Sequence, residues 1–214
     1  MPFPVRPSRT FAALALSLAT ITALPLTAHA QRDETLLGRR GDASVGGFGG
    51  PVVKFSRLAG ADAMISGGRG GVILNRRLVI GGGGYAVASE NIRTDFRFED
   101  GSRPALQLAY GGLEFEYITR PRDLVHATVS MLLGGGAASY RATSTSGGTV
   151  ATRTLESPVF VAEPGAHLEL NVTRWFRPGI GVGYRYVNGS DLPNVTDGAL
   201  GGAVGTLTFK FGRF

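Results

Sequence analysis

The sequence contains no cysteine in 214 residues. That single absence removes disulfides, thiolate metal sites and cysteine nucleophiles together. Histidine is nearly missing too: there are three, one of them His29 near the start, and no two stand at a metal-ligand spacing. No metal or cofactor site is expected. Charged residues make up only 18% of the chain, and setting aside Arg6 and Arg9 leaves 20 basic against 16 acidic residues, a net +4. The basic residues are scattered, without the stripe or aromatic-basic module of a nucleic-acid binder, so nucleic acid is not an expected partner. After residue 30 no apolar run approaches the roughly 20 residues that a membrane helix needs. Alternating strands of about 9–11 residues cross a bilayer instead, and the chain holds many.

Residues 1–30 read as a segment outside the fold. Arg6 and Arg9 form a basic front, residues 11–26 are largely apolar, and Ala28-His29-Ala30 fits a small-x-small cleavage site. This predicts a secretory signal peptide cut near Ala30, before Gln31. Residues 31–42 are polar and charged and read as a periplasmic lead-in, and 43–214 as one all-β domain. An exported domain without cysteine depends on hydrogen bonding and packing, and a closed barrel supplies both because closure leaves no strand edge.

Period-two alternation marks eight strands, at about 43–57, 62–75, 77–90, 105–119, 123–141, 158–173, 175–187 and 200–214. In the fifth, Val125, Ala127, Val129, Met131 and Leu133 oppose His126, Thr128, Ser130 and Leu132. In the seventh, Phe176, Ile180, Val182, Tyr184 and Tyr186 oppose Arg177, Gly181, Gly183 and Arg185. The fourth changes parity, from Leu106, Leu108 and Tyr110 to Leu113, Phe115 and Tyr117. A bulge at Gly111-Gly112 would bring both sets to one face. In the last strand Leu207, Phe209 and Phe211 alternate with Thr206, Thr208 and Lys210, and the chain stops at Phe214. Phe214 has the opposite parity to Phe209 and Phe211, and a bulge at Gly212 would restore its register.

Connections alternate in length. Tight turns fall at 75–77, 120–122 and 173–174, and long polar segments at 89–104, 140–157 and 188–198, with only 58–61 short among the latter set. Aromatics gather at both levels: Phe115, Tyr117, Trp175, Phe176, Phe211 and Phe214 near the turns, and Phe55, Tyr85, Tyr110, Tyr140, Phe160 and Tyr186 near the loops. Two such girdles are what amphipathic rings make at bilayer headgroups. Taken together, the export segment, the eight strands, the turn-loop asymmetry and the aromatic final strand resemble small bacterial outer-membrane β-barrel proteins of the outer membrane protein A, X and W type. The resemblance implies an eight-stranded antiparallel up-and-down transmembrane barrel in the outer membrane of a Gram-negative-type bacterium. It also implies outer-membrane lipids as surroundings and the barrel-assembly machinery as a partner of the C-terminal strand.

Opposite the apolar set lie Lys54, Arg69, Glu114, Glu116, His126, His167, Glu169, Arg177, Arg185 and Lys210. Eight strands enclose only enough room for side chains, so these charges are expected to pair inside and plug the lumen. Tyr117, Trp175, Phe176, Phe211 and Phe214 are expected to form the aromatic girdle. The run Gly81–Gly84 follows an apolar strand but no amphipathic helix follows it, so it lacks the context of a dinucleotide fingerprint. Glycines facing into a narrow barrel leave room for large neighbours. His126 and Thr128, two apart on one strand, invite comparison with outer-membrane acyl hydrolases, but their parity turns them inward, away from lipid substrates. No catalytic residue is expected. The expected role is structural or interactive, through external loops that meet an unidentified ligand. The alternative is a narrow channel for small or hydrophobic solutes, followed by a lipid-modifying enzyme or a soluble periplasmic lipophile-binding barrel.

Overall fold

A computed structural model of the chain describes residues 44–89, 92–99, 101–146 and 149–214. The expected signal peptide and the lead-in at 31–42 lie outside the described residues. Eight strands, β1 (Val45–Leu58), β2 (Ala61–Leu74), β3 (Leu78–Val87), β4 (Ala105–Ile118), β5 (Val125–Ser146), β6 (Thr149–Leu170), β7 (Phe176–Asn188) and β8 (Gly202–Arg213), pair antiparallel in sequence order. The ladder closes where β1 meets β8, with Val53 opposite Leu207 and Phe48 opposite Gly212. The only helix among the described residues is α1 (Asp197–Leu200), a single turn ahead of β8.

Alternation decides which way each side chain points. On the outer wall Val129, Leu168, Ile180, Val182 and Tyr184 are all more than half exposed, Val182 to 70%. Residues of the other parity are buried, among them Lys54, Arg69, Glu114, Glu116, Glu163, Glu169, Arg185 and Lys210, whereas Arg57, Asp62, Arg141, Arg153, Glu156 and Arg213 are the exposed strand charges among the described residues. A wall of this kind suits an apolar solvent on the outside and would be costly in water.

Two expected bulges do not form. Gly111 pairs with Gly84 and Gly135, and Gly112 with Gly83 and Gly134, so β4 keeps one register throughout. Leu106, Leu108 and Tyr110 therefore point inward, beneath loops that give them an apolar neighbourhood. β8 likewise keeps its register through Gly212, and Phe214 turns toward the interior.

The expected loop at 140–157 is also different. β5 and β6 stay paired from Val125 opposite Leu170 up to Ser146 opposite Thr149. β4 leaves β5 at Arg141 and β7 leaves β6 at Phe160, so beyond those residues the two strands pair only with each other, with Ser157 and Val159 still buried at the base of the ribbon. Threonine and valine suit a strand even where serine makes the composition look loop-like.

Candidate functional site

The barrel interior is stacked in three layers. At the end carrying the long connections is an apolar layer, in which Leu58, Ile65, Leu106, Leu108, Tyr140 and Val161 are essentially fully buried. Ile92, from the β3–β4 connection, and Leu192, Val195 and Leu200, from the β7–β8 connection, complete it from above. Backbone bonds hold these segments down, from Leu106 N to Ile92 O at 2.7 Å and from Ala59 N to Ala199 O at 2.8 Å. Asp197 adds to this by accepting from the Gly189 and Ser190 amides at 3.1 and 2.8 Å. At the turn end Phe48, Ile73, Val79 and Ile118 form a second apolar layer, with Phe214 packed against it.

Between the two lies the ionic layer. Lys54 Nζ on β1 reaches Glu163 Oε1 on β6 at 2.5 Å and lies 3.3 Å from the centre of the Tyr85 ring. Arg69 on β2 bridges two carboxylates of β4, Glu114 at 2.8 Å and Glu116 at 2.5 Å. Lys210 on β8 contacts Glu116 at 2.5 Å and also pairs with Glu169 of β6. His126 Nε2 approaches Glu169 at 3.5 Å. Tyr110 donates to the second oxygen of Glu163 at 2.8 Å, and Tyr85 donates to Glu114. Apart from His126 and Glu169, every ion pair here joins strands that are not neighbours in the sheet, so the contacts cross the lumen. Each charge has lost water and depends on its partners for compensation.

Seven of the expected lumen residues thus meet: Lys54, Arg69, Glu114, Glu116, His126, Glu169 and Lys210. Three stand apart. His167 shares a 2.9 Å hydrogen bond with Ser130. Arg177 lies over the Phe214 ring at 3.9 Å. Arg185, fully buried, donates to Leu200 O at 3.0 Å and Ser56 Oγ at 3.1 Å, and so ties β7 to the connection above it. Thr128 is buried without a hydrogen-bond partner in the described structure, and both it and His126 face inward. Sequence reasoning missed Glu163, although it shares parity with His167 and Glu169 and that spacing was the available signal. It also placed Tyr85, Tyr110 and Tyr140 in the external girdle. All three point inward, because each hydroxyl has a partner there; Tyr140 bonds Pro193 O at 2.9 Å and Thr94 Oγ1 at 2.8 Å.

Glycines create the room for this packing. A Cβ on Gly181 would overlap the His167 ring, and one on Gly83 would lie 2.7 Å from the Tyr85 hydroxyl. The space left among Lys54, Arg69, Glu114, Glu163 and His167 is about 20 Å³, the size of one water. Outside, Trp175 stacks 6.0 Å from Phe211, and Phe176 lies 4.9 Å from Phe211, an exposed aromatic cluster at the turn end. Tyr117 is exposed opposite Leu78 on the same rim. Phe214 is not in this cluster: its unbroken parity carries it inside, stacked 6.3 Å from Phe48.

A closed antiparallel ladder with charges inside and an apolar wall outside settles the architecture. The chain is a small transmembrane β-barrel. No protein-family model matches it, and no curated protein does either. Several solved barrels are similar. Neisserial surface protein A (NspA) shares 15% identity over 81% of this chain and 99% of its own, at a TM-score of 0.44. The N-terminal β-barrel domain of Pseudomonas aeruginosa OprF shares 15% over 77% and 96%, at 0.40. Ail, the attachment invasion locus protein of Yersinia pestis, shares 17% over 81% and 99%, at 0.38.

Proposed function

We propose that this barrel resides in a bacterial outer membrane and acts through its external connections rather than by passing solute. The sealed lumen carries the reading: an ionic layer sits between two apolar layers, and the cavity at its centre is about 20 Å³. An open channel normally has many more strands and a wet interior. With conduction disfavoured, the feature left to act is the β5–β6 ribbon, which projects above the wall and pairs with no other strand past Arg141 and Phe160. Unpaired strand edges on a rigid support are ready surfaces for an external ligand. The opposite end carries the aromatic cluster of Trp175, Phe176 and Phe211, which fits a headgroup level in the lipid. Recognition by the assembly machinery would rest on Phe209 and Phe211, the outward aromatics of β8, and not on Phe214.

Two measurements test this. A protease site grafted into residues 140–157 is expected to be cut on intact cells, and resistance there would overturn the external placement. The purified barrel in a planar bilayer is expected to give no conductance steps. Steady single-channel currents would instead favour the narrow-channel reading.

A further inference from the structure

The three short turns share a charge bias that no feature of the lumen explains. They carry Arg76, Arg77, Arg120, Arg122 and Arg174, against a single acid, Asp123. None of these five arginines makes an ion pair or a side-chain hydrogen bond among the described residues. Four of them converge. Asn75, Arg76, Arg77, Arg120, Pro121, Arg122 and Asp123 enclose a concavity of about 310 Å³ between the β2–β3 and β4–β5 turns. A bond from Ile118 N to Arg77 O at 2.7 Å fixes the two turns side by side, and Asp123 N closes the second turn onto Arg120 O at 3.0 Å.

Backbone geometry adds a second, independent observation. Asn75 and Arg76, at the centre of the first turn, have φ of 51° and 59°, and Arg120 has φ of 44°. Asparagine and glycine suit such positions and arginine does not. Arginine is thus held twice in a left-handed conformation, at a cost, where it also crowds other cations. Strain of this kind marks sites where a side chain is wanted for something besides the fold. With Asp123 counted, the concavity carries a net +3, and arginine forks match phosphate oxygens.

Directly above the concavity the outer wall is apolar. Leu78 pairs with Tyr117 and Ile80 with Phe115, all four exposed to the membrane side. Cations at a membrane rim with an apolar wall beside them match a molecule with a phosphate at one end and acyl chains at the other. We propose that the pocket of Arg76, Arg77, Arg120 and Arg122 holds the phosphate of an anionic phospholipid from the leaflet at the turn end, with its chains lying along Leu78, Ile80, Phe115 and Tyr117. This rests on the membrane reading above, since a barrel in water would meet no such leaflet.

The test inserts the full chain into phosphatidylcholine vesicles containing a minor fraction of phosphatidylglycerol. The protein is then extracted in neutral detergent and the retained lipid counted by native mass spectrometry. The pocket variant combines Arg76→Asn and Arg120→Asn, which keep left-handed turns comfortable, with Arg77→Gln and Arg122→Gln. Wild type is expected to retain phosphatidylglycerol over phosphatidylcholine, with retention weakened about fivefold per pocket arginine removed. Arg174→Gln, outside the pocket, should leave retention near wild type. Equal retention by the inserted pocket variant, or an equal loss in Arg174→Gln, overturns the site and leaves the membrane reading standing. Displacement of the lipid by inorganic phosphate, with equally tight phosphate binding in lipid-free micelles, overturns it in favour of a free anion. Failure of wild type to insert, read as no heat-modifiable gel mobility, overturns the membrane reading and the lipid site with it.

Discussion

The Lys54–Glu163 pair allows a double-mutant cycle that tests the ionic layer directly. Among the described residues Lys54 has Glu163 as its one carboxylate within ion-pair distance, at 2.5 Å, and both side chains are more than nine-tenths buried. Replacing one member of a buried pair costs about 3–5 kcal/mol, because the survivor stays buried without compensation. The two halves differ here. After Glu163→Gln, Lys54 still lies 3.3 Å from the Tyr85 ring centre, a contact worth up to about 2 kcal/mol when dry. After Lys54→Met, Glu163 keeps only the Tyr110 hydroxyl at 2.8 Å. The expected losses are therefore about 2–3 kcal/mol for Glu163→Gln and about 3–5 kcal/mol for Lys54→Met. The double variant, Lys54→Met with Glu163→Gln, should lose clearly less than the two single losses added, since it leaves neither charge of the pair buried without its partner. Urea titration of the barrel in lipid vesicles, read by the fluorescence of Trp175, the chain's one tryptophan, supplies the four stabilities. Single variants as stable as wild type, or a double variant as weak as the two losses added, would refute the reasoning.

Other perturbations probe the remaining layers. Gly181→Val is expected to cost about 1–3 kcal/mol by forcing the His167 ring aside, whereas Gly205→Ala, whose added carbon meets nothing closer than Phe55 O at 3.9 Å, should be near neutral in the same titration. Arg185→Met removes the bonds to Leu200 O and Ser56 Oγ, so residues 189–201 should become protease-sensitive while the gel shift of the closed barrel persists. Phe214→Ala should destabilise by about 1–2 kcal/mol through the inner layer at Phe48, without altering the lipid exposure of Trp175. Trp175 itself should be quenched more by lipids brominated near the headgroup than near the chain ends; equal quenching at all depths would refute a girdle at the turn end.

Much of this was legible in the sequence. Strand number, strand order and the inward parity of Lys54, Arg69, Glu114, Glu116, Glu169 and Lys210 followed from period-two alternation. The apolar layer under the long connections did not. Leu106 and Leu113 are the same residue type, and one faces a dry interior while the other faces the outer wall. Only the descent of Ile92, Leu192 and Leu200 onto the mouth makes the inside of that region apolar, and this is tertiary information. The two expected bulges came from assuming that every apolar residue faces out. The ribbon beyond Arg141 was read as a loop because serine, threonine and glycine suggest one, although β-branched residues also favour strands. The basic residues are scattered along the sequence, and the convergence of the turn arginines needed the sheet register that sets the β2–β3 and β4–β5 turns side by side.

The lumen-crossing ion pairs also bear on how the barrel comes into being. Lys54 meets a residue 109 positions later, and Lys210 one 94 positions earlier. A sheet of β1 to β4 already holds Arg69 with Glu114 and Glu116, but it leaves Lys54 without Glu163 and Glu116 without Lys210. The last of the reward arrives when β1 and β8 join, as Lys54 meets Glu163 and Lys210 meets Glu116 across the cylinder. Closure then behaves as a switch rather than a gradient: an open sheet has reason to wait, and a shut one has a steep wall to climb before it can reopen.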